Sequence, residues 1–337
     1  MLTRNQSLNL GKDSSALVSL TEIRAAQQRV CGIARRTPLI EADFSENKRI
    51  YLKAESLQPI GSFKLRGAYN KAASIPAEAL RRGLITYSSG NHGQGVAYAA
   101  RALGAKAVVV MPSNAPAIKR KAAEALGAEI VIVGPGSLER KTKAEELAEL
   151  NGYTVVPPYD DPAIIAGQGT CGFEILEDLP EVDLVLVPVG GGGLLSGIAA
   201  AIKQIRPATQ VWGVEPELAA DAAASIASGK IVSYTPEQTS RTLADGLRTQ
   251  HVGELNFAHL RAFVEGIVTV SETEIASAMR ALLFEAKLVA EPSGAVAVAV
   301  ALYHAQELQA AGKTICAVVS GGNVEPSVLR NLLDAAI

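Results

Sequence analysis

The 337-residue chain carries 32 Lys and Arg against 34 Asp and Glu, a net charge of −2, and is 48% hydrophobic but only 4% aromatic. Scattered charge near neutrality excludes the basic footprint of a nucleic-acid binder, and no apolar run reaches the roughly 18 residues that cross a bilayer. The length implies about two domains, and a core of Ala, Val, Leu and Ile suits sheets covered by helices.

Cys31, Cys171 and Cys316 lack the spacing of a metal knuckle or redox pair, and His92, His251, His259 and His304 lack that of a zinc site. With no basic region followed by an apolar one at its start, the chain reads as soluble and cytoplasmic. Residues 1–20 are polar and Ser-rich and predict an arm without regular structure. Leu20 to Ile33 has helical periodicity, and Arg36 to Ile40 reads as a first strand. A second strand, Ile50 to Ala54, enters the turn Gln58-Pro59-Ile60-Gly61, after which Ser62 is placed to cap a helix running to about Asn70 to Ile75. Lys64 then lies in a first helical turn. There the positive end of the helix dipole opposes an ammonium and favours a neutral amine or a lysine consumed in a Schiff base. A single lysine on an amphipathic helix is ordinarily just solvated, so the rest of the chain must decide.

From Leu84 the pattern alternates: strand Leu84 to Ser88, helix Asn91 to Leu103, strand Ala107 to Met111, helix Pro116 to Leu126, strand Ile130 to Val133, helix Leu138 to Leu150, then Thr154-Val155-Val156. Gly104, Gly127 and Gly152 close the helices, and the rhythm predicts a parallel sheet with right-handed crossovers. A second series follows, with helix Pro162 to Leu179, strand Leu184 to Val189, helix Leu194 to Ile205 and strand Gln210 to Val214. After strand Ile267 to Val270 come a helix opened by the capping pair Ser271 and Glu274, a long Ala/Val helix from Ser293 to Ala311, and strand Thr314 to Val319.

Three strand-to-helix junctions carry chemistry. Four glycines, Gly190 to Gly193, follow an apolar strand and precede Leu194, and such a run is entropically costly unless something approaches the backbone closely. Bare N–H groups opening a helix cradle anions, with phosphate the obvious guest. No Gly-Lys-Ser/Thr or dinucleotide fingerprint is present, which leaves a tight-packing turn as the competing reading. Ser320-Gly321-Gly322-Asn323 also follows a strand, at the edge where open α/β sheets bind ligands. Ser88-Ser89-Gly90-Asn91-His92 opens a helix whose first N–H groups can hold a carboxylate, although a lone histidine is more often a core or capping residue.

Taken with Ser62-Phe63-Lys64-Leu65-Arg66-Gly67, these segments resemble, in order and in register, the serine/threonine dehydratase and serine racemase group of fold-type II pyridoxal-phosphate (PLP) enzymes, whose fold is that of the tryptophan synthase β chain. The likeness spans residues 20 to 330. It implies an α/β protein of two parallel-sheet domains with the active site between them, residues 1–75 and 157–337 forming a large discontinuous PLP-binding domain and 76–156 a small mobile one. It implies that Lys64 carries the cofactor and is the base for the Cα proton. Phe63 would pack on the ring, Asn91 meet its phenolic oxygen, Gly190, Gly191, Gly192, Gly193 and Leu194 hold the phosphate, and Ser320 face the pyridine nitrogen. A neutral hydroxyl there leaves that nitrogen largely unprotonated and favours elimination over transamination. Ser88, Ser89, Gly90, Asn91 and His92 would bind the substrate carboxylate, with Thr249 within reach of substrate. Ser89 is a second catalytic candidate, because racemases carry a serine there that protonates the opposite face, where many threonine dehydratases carry a small apolar residue.

Glu215, the Ala219 carbonyl and Asp221 resemble the divalent site of serine racemases and offer oxygen-only ligation to Mg²⁺ or Ca²⁺, although acidic loops are usually just solvated. Asp245-Gly246 and Glu291-Pro292-Ser293-Gly294 resemble segments bordering the site. The activity implied is α,β-elimination of water from an L-3-hydroxy amino acid to a 2-oxo acid and ammonia, by a homodimer. Ile60 stands where the group commonly has Thr, which makes the entrance more apolar and extends the substrate class to 3-aryl-serines. The arginine that racemases place after a serine has no clear match around Ser137-Leu138-Glu139-Arg140, and no regulatory extension is expected after residue 337, so isoleucine feedback is not. The rivals are a serine racemase, a β-replacement synthase and, from another class, a non-catalytic small-molecule sensor on the same fold.

Overall fold

The computed structural model describes residues 1–6, 17–44, 49–88, 90–134 and 136–334. Its strands are β1 (Leu2–Arg4), β2 (Leu39–Ala42), β3 (Arg49–Lys53), β4 (Leu84–Tyr87), β5 (Ala107–Pro112), β6 (Glu129–Val133), β7 (Thr154–Val155), β8 (Leu184–Pro188), β9 (Gln210–Pro216), β10 (Gly266–Val270) and β11 (Thr314–Val318). Helices α1 (Leu20–Val30), α2 (Lys64–Ala73), α3 (Ala77–Arg82), α4 (Asn91–Ala102), α5 (Ala117–Ala125), α6 (Ser137–Asn151), α7 (Pro162–Asp178) and α8 (Gly193–Ile205) lead into the C-terminal half. There α9 (Asp221–Ser228), α10 (Pro236–Thr239), α11 (Glu254–Phe263), α12 (Glu272–Phe284), α13 (Pro292–Tyr303) and α14 (Pro326–Asp334) follow. Among the described residues no helix is long and apolar enough to cross a membrane.

The strands form two sheets. One has four strands, all parallel, in the order β6-β5-β4-β7; the other has seven, in the order β1-β10-β9-β8-β11-β3-β2, parallel except for its two edge strands. Leu184–Pro188 is buried throughout, as a central strand covered on both faces must be. One face of the large sheet packs Ile165, Ile175, Leu195 and Ile198 of α7 and α8, and the other packs Ile275, Leu282, Val296, Val298 and Val300 of α12 and α13.

Three expectations change. Leu2–Arg4 is a strand rather than part of an arm: it pairs antiparallel with β10 and the Met1 amine reaches the Thr269 carbonyl, so the partner supplies the order that three residues cannot. Residues 7–16 of that stretch lie outside the described ones, and at its end Ser19 caps α1 in a capping box with Glu22. The Ala/Val helix stops at Tyr303, where polar residues follow and Gln309 takes a positive φ. Ser62 does not cap α2. It forms an antiparallel bridge with Gly321 and its hydroxyl is buried without a partner, so the helix starts from Phe63.

Helix α2 lies between α4 and α7, because glycines let the three backbones close up. A Cβ on Gly167 would sit 2.6 Å from the Gly67 Cα, and one on Gly95 would sit 3.2 Å from the Lys64 carbonyl oxygen. The first turn of α2 therefore meets both sheet systems where they face each other.

Candidate active site

The lysine segment is stitched to the end of β11. Phe63 N–H donates to the Ser320 carbonyl at 3.1 Å and Gly322 N–H to the Gly61 carbonyl at 2.9 Å. Gly61 has φ +73°, and the Asn323 Oδ1 fills the space of its missing side chain, so this turn accepts only glycine. Ser320 is buried at the strand end, its hydroxyl 3.4 Å from the Ser293 carbonyl. Gly321 is required by protein rather than by ligand, since a Cβ there would meet the Glu291 carboxylate at 2.2 Å.

Lys64 Nζ donates to the Pro158 carbonyl at 2.7 Å and stands 5.2 Å from the Phe63 ring centroid. Burial lowers its pKa to about 8 from the usual 10.5. About a tenth of the amine is therefore neutral at pH 7 and about half at pH 8, where an unburied lysine is almost wholly protonated.

The four glycines end at helix α8, whose opening N–H groups have no intrahelical acceptor. Gly192 has φ +98°. Much of the close approach that demands glycine comes from protein: a Cβ on Gly191 would lie 2.3 Å from the Tyr159 ring, and one on Gly192 2.7 Å from Asn256 Cβ. Beside Gly190, the Thr249 hydroxyl is buried without a hydrogen-bond partner.

At the start of α4, the Ser88 hydroxyl accepts from Gly90 N–H at 3.1 Å. Ser89 lies outside the described residues, as do residue 135 and the side chain of Ser137. The structure turns His92 into the small-sheet core. Its Nε2 is 3.0 Å from the Val156 carbonyl, and burial followed by the nearby Lys64 charge lowers its pKa to about 3. It is a neutral donor rather than a base. Asn91 donates through Nδ2 to Glu291 and accepts through Oδ1 from Asn323 Nδ2 at 2.8 Å.

Away from this cleft, Glu215 accepts N–H bonds from Ala222 and Ala223, while both carboxylate oxygens of Asp221 are buried with no hydrogen-bond partner. Burial raises the pKa of both acids, and for Glu215 the neighbouring Asp221 adds to it. Among the described residues no group of three or more His, Cys, Asp or Glu side chains is arranged to hold a metal.

Residues absent from the sequence-based site complete the geometry. Lys119 of α5 reaches Asp245 at 2.7 Å and Glu291 at 2.9 Å, and Tyr159 covers the glycine turn. Lys119 sits in an ordinary amphipathic Ala/Lys helix and Tyr159 in a Pro-Pro-Tyr turn, so neither carried a local signal. A desolvated amine, a glycine-opened helix N-terminus and a strand-end hydroxyl together fit PLP: an amine to condense with, an anion cradle and a neutral partner for the ring nitrogen.

The comparisons agree with that fit. The chain is 41% identical over 324 residues to the L-threonine ammonia-lyase of Thermotoga maritima, covering 95% of this chain and 79% of that protein. It is 39% identical over 307 residues to the L-threo-3-hydroxyaspartate ammonia-lyase of Saccharomyces cerevisiae, covering 90% and 93%. Among solved structures, maize serine racemase superposes with a TM-score of 0.88 at 35% identity, covering 94% of this chain and 97% of that one. Residues 30–321 match the family described as pyridoxal-phosphate dependent enzyme, and to that family the chain belongs.

Proposed function

We propose that the protein is an ammonia-lyase that eliminates water from an L-3-hydroxy amino acid, the resulting enamine then taking up a water to give a 2-oxo acid and ammonia. The observation that carries this reading is the buried Lys64 amine with its pKa near 8, beside the end of β11 and the start of α4. When bound, PLP supplies the electron sink that stabilises negative charge at the substrate Cα. Lys64 in its neutral form takes the Cα proton as base. The N–H groups of Gly190, Gly191, Gly192, Gly193 and Leu194 would hold the phosphate, Phe63 would pack on the ring, and the neutral Ser320 hydroxyl would face the ring nitrogen and leave it largely unprotonated. Ser88, Ser89, Gly90 and Asn91 take the substrate carboxylate at the helix N-terminus, His92 steadies that turn through Val156, and the unpartnered Thr249 hydroxyl reaches substrate.

The names of the two ammonia-lyases point to threonine and L-threo-3-hydroxyaspartate as substrates, with serine and a 3-aryl-serine as further candidates. Ile60, buried with its carbonyl bonded by Asn323, stands where the resembled group commonly has Thr, and that apolar replacement is the reason to include a methyl or aryl β-substituent. The likeness to maize serine racemase favours racemisation as a side activity that depends on Ser89. Residues 76–156 are read as a small mobile domain against 1–75 and 157–337, and the assembly as a homodimer. Glu215, the Ala219 carbonyl and Asp221 are read as a divalent-cation site, supported by the partnerless Asp221 carboxylate.

The test incubates purified holoenzyme separately with L-threonine, L-serine, L-threo-3-hydroxyaspartate and threo-3-phenylserine, assaying 2-oxo acid and D-amino acid together. Oxo acid from one of them, absent in Lys64→Ala, establishes the elimination and names the substituent. D-amino acid without oxo acid makes the protein a racemase, and undiminished racemisation in Ser89→Ala removes Ser89 from that step. Neither product, with no visible cofactor band, returns the sensor reading.

A further inference from the structure

Lys119 is a second lysine at this site, and its surroundings are the reverse of those of Lys64. It is 2% exposed, and its stem passes so near Gly90 that a Cβ there would lie 2.5 Å from Lys119 Cδ. From α5, on the four-stranded sheet, its ammonium reaches the carboxylates of Asp245 and Glu291, both packed with the seven-stranded one. Glu291 is itself 2% exposed.

The hydrogen bonds beyond Glu291 have a fixed polarity. The Ile60 carbonyl can only accept, so it takes an N–H of Asn323 at 2.8 Å and fixes that amide. The same Nδ2 donates to Asn91 Oδ1 at 2.8 Å, which sets the orientation of the Asn91 amide, and one hydrogen of Asn91 Nδ2 then goes to Glu291 Oε1. The other Asn91 hydrogen is left for the cleft. Burial pushes the Glu291 carboxyl towards its neutral form, Asp245 adds to that push, and the Lys119 ammonium opposes both.

We propose that Lys119 is a positioning residue: through its ion pair it holds the Glu291 carboxyl group in place and so fixes the Asn91 amide, whose second N–H is then presented to the cofactor's phenolic oxygen. Lys119 itself acts only through Glu291 and Asn91. The proposal rests on the cofactor role read for Asn91. Among the described residues the charged groups acting on Glu291 are Lys119 and Asp245, so removing the Lys119 ammonium leaves two neighbouring acids and no cation among these three.

The test uses holoenzyme of the wild type, Lys119→Met, Lys119→Arg, Glu291→Gln and the Lys119→Met/Glu291→Gln double variant. It records the visible cofactor band of the resting enzyme from about pH 6 to pH 9 and the affinity for added PLP. Lys119→Met is expected to shift the band with pH in a way the wild type does not and to bind PLP about tenfold more weakly, the size of a lost charge-assisted hydrogen bond. Glu291→Gln is expected to shift the band without that pH dependence, Lys119→Arg to retain the wild-type spectrum, and the double variant to be no worse than either single change. A wild-type spectrum and affinity in Lys119→Met overturns the proposal, as do additive losses in the double variant. If Lys119→Met does not fold, a wild-type spectrum in Glu291→Gln overturns it equally. A wild type without any cofactor band sinks the PLP reading rather than the role of Lys119.

Discussion

Two cations on helix α2, two residues apart, are buried in opposite ways. Arg66 is fully paired: its guanidinium reaches both oxygens of Glu55 at 2.7 and 2.8 Å and both of Glu174 at 2.7 and 2.8 Å, and Lys53 adds a 2.6 Å bond to Glu174. Burial pushes Glu55 up, yet the Arg66 guanidinium brings its carboxyl below the ordinary carboxylate range. Lys64, at the start of the same helix, is paired only with a carbonyl, and burial lowers its pKa. The paired cluster is a floor that holds the helix against β3 and α7, and the amine bonded to the Pro158 carbonyl is the end proposed above to react.

The sharpest way to break this comparison is to remove each cation in turn. Lys64→Ala is expected to abolish turnover, a loss beyond about 10³-fold, while the melting temperature holds. Arg66→Met is expected to strand Glu55 and Glu174 as buried, underpaired carboxylates and to lower stability by about 3–5 kcal/mol in chemical denaturation. Equal stability losses in the two variants would erase the distinction between floor and reactive end.

The pH dependence of the cofactor-free protein sharpens it further. Below pH 8 the Lys64 amine is protonated in both folded and unfolded states, and the folded state bears its full desolvation cost. Between about 8 and 10.5 the folded amine has lost its proton and the unfolded one has not, so the unfolded state binds more protons and stability rises with pH. The whole gap is worth about 3 kcal/mol. Apo wild type is thus expected to be less stable than apo Lys64→Met at pH 7 and to converge on it by about pH 10.5. Parallel curves would show that the amine is not desolvated.

The same contrast explains what could be read from sequence. Continuous apolar runs such as Leu184 to Val187 announce central strands, the four glycines announce a close approach by their run, and Lys64 stands out only through the resemblance of the segments around it. Arg66, Glu55 and Glu174 do not, because charged residues scattered over more than a hundred positions look solvated until the fold brings them together. Lys119 is hidden for the same reason, with partners at positions 245 and 291. The glycine turn was legible as a close approach, but one approaching group is Tyr159, which no local pattern names.

Glu215 and Asp221 extend the contrast to a pair of acids that, among the described residues, have no ion-pair partner. Asp221 is wholly buried with both carboxylate oxygens unpartnered, so the pair is stable either as neutral acids or around a bound cation. Asp221→Asn imitates the neutral acid but cannot supply the charge. In chelator the variant is therefore expected to melt within about 0.5 kcal/mol of wild type. With Mg²⁺ or Ca²⁺ at ten times its dissociation constant, wild type is expected to gain about 1.4 kcal/mol and the variant nothing. A cation-dependent gain shared by both proteins would move the ion elsewhere. No gain in either would leave the pair as two neutral acids, a place where buried charge is avoided rather than paired or used.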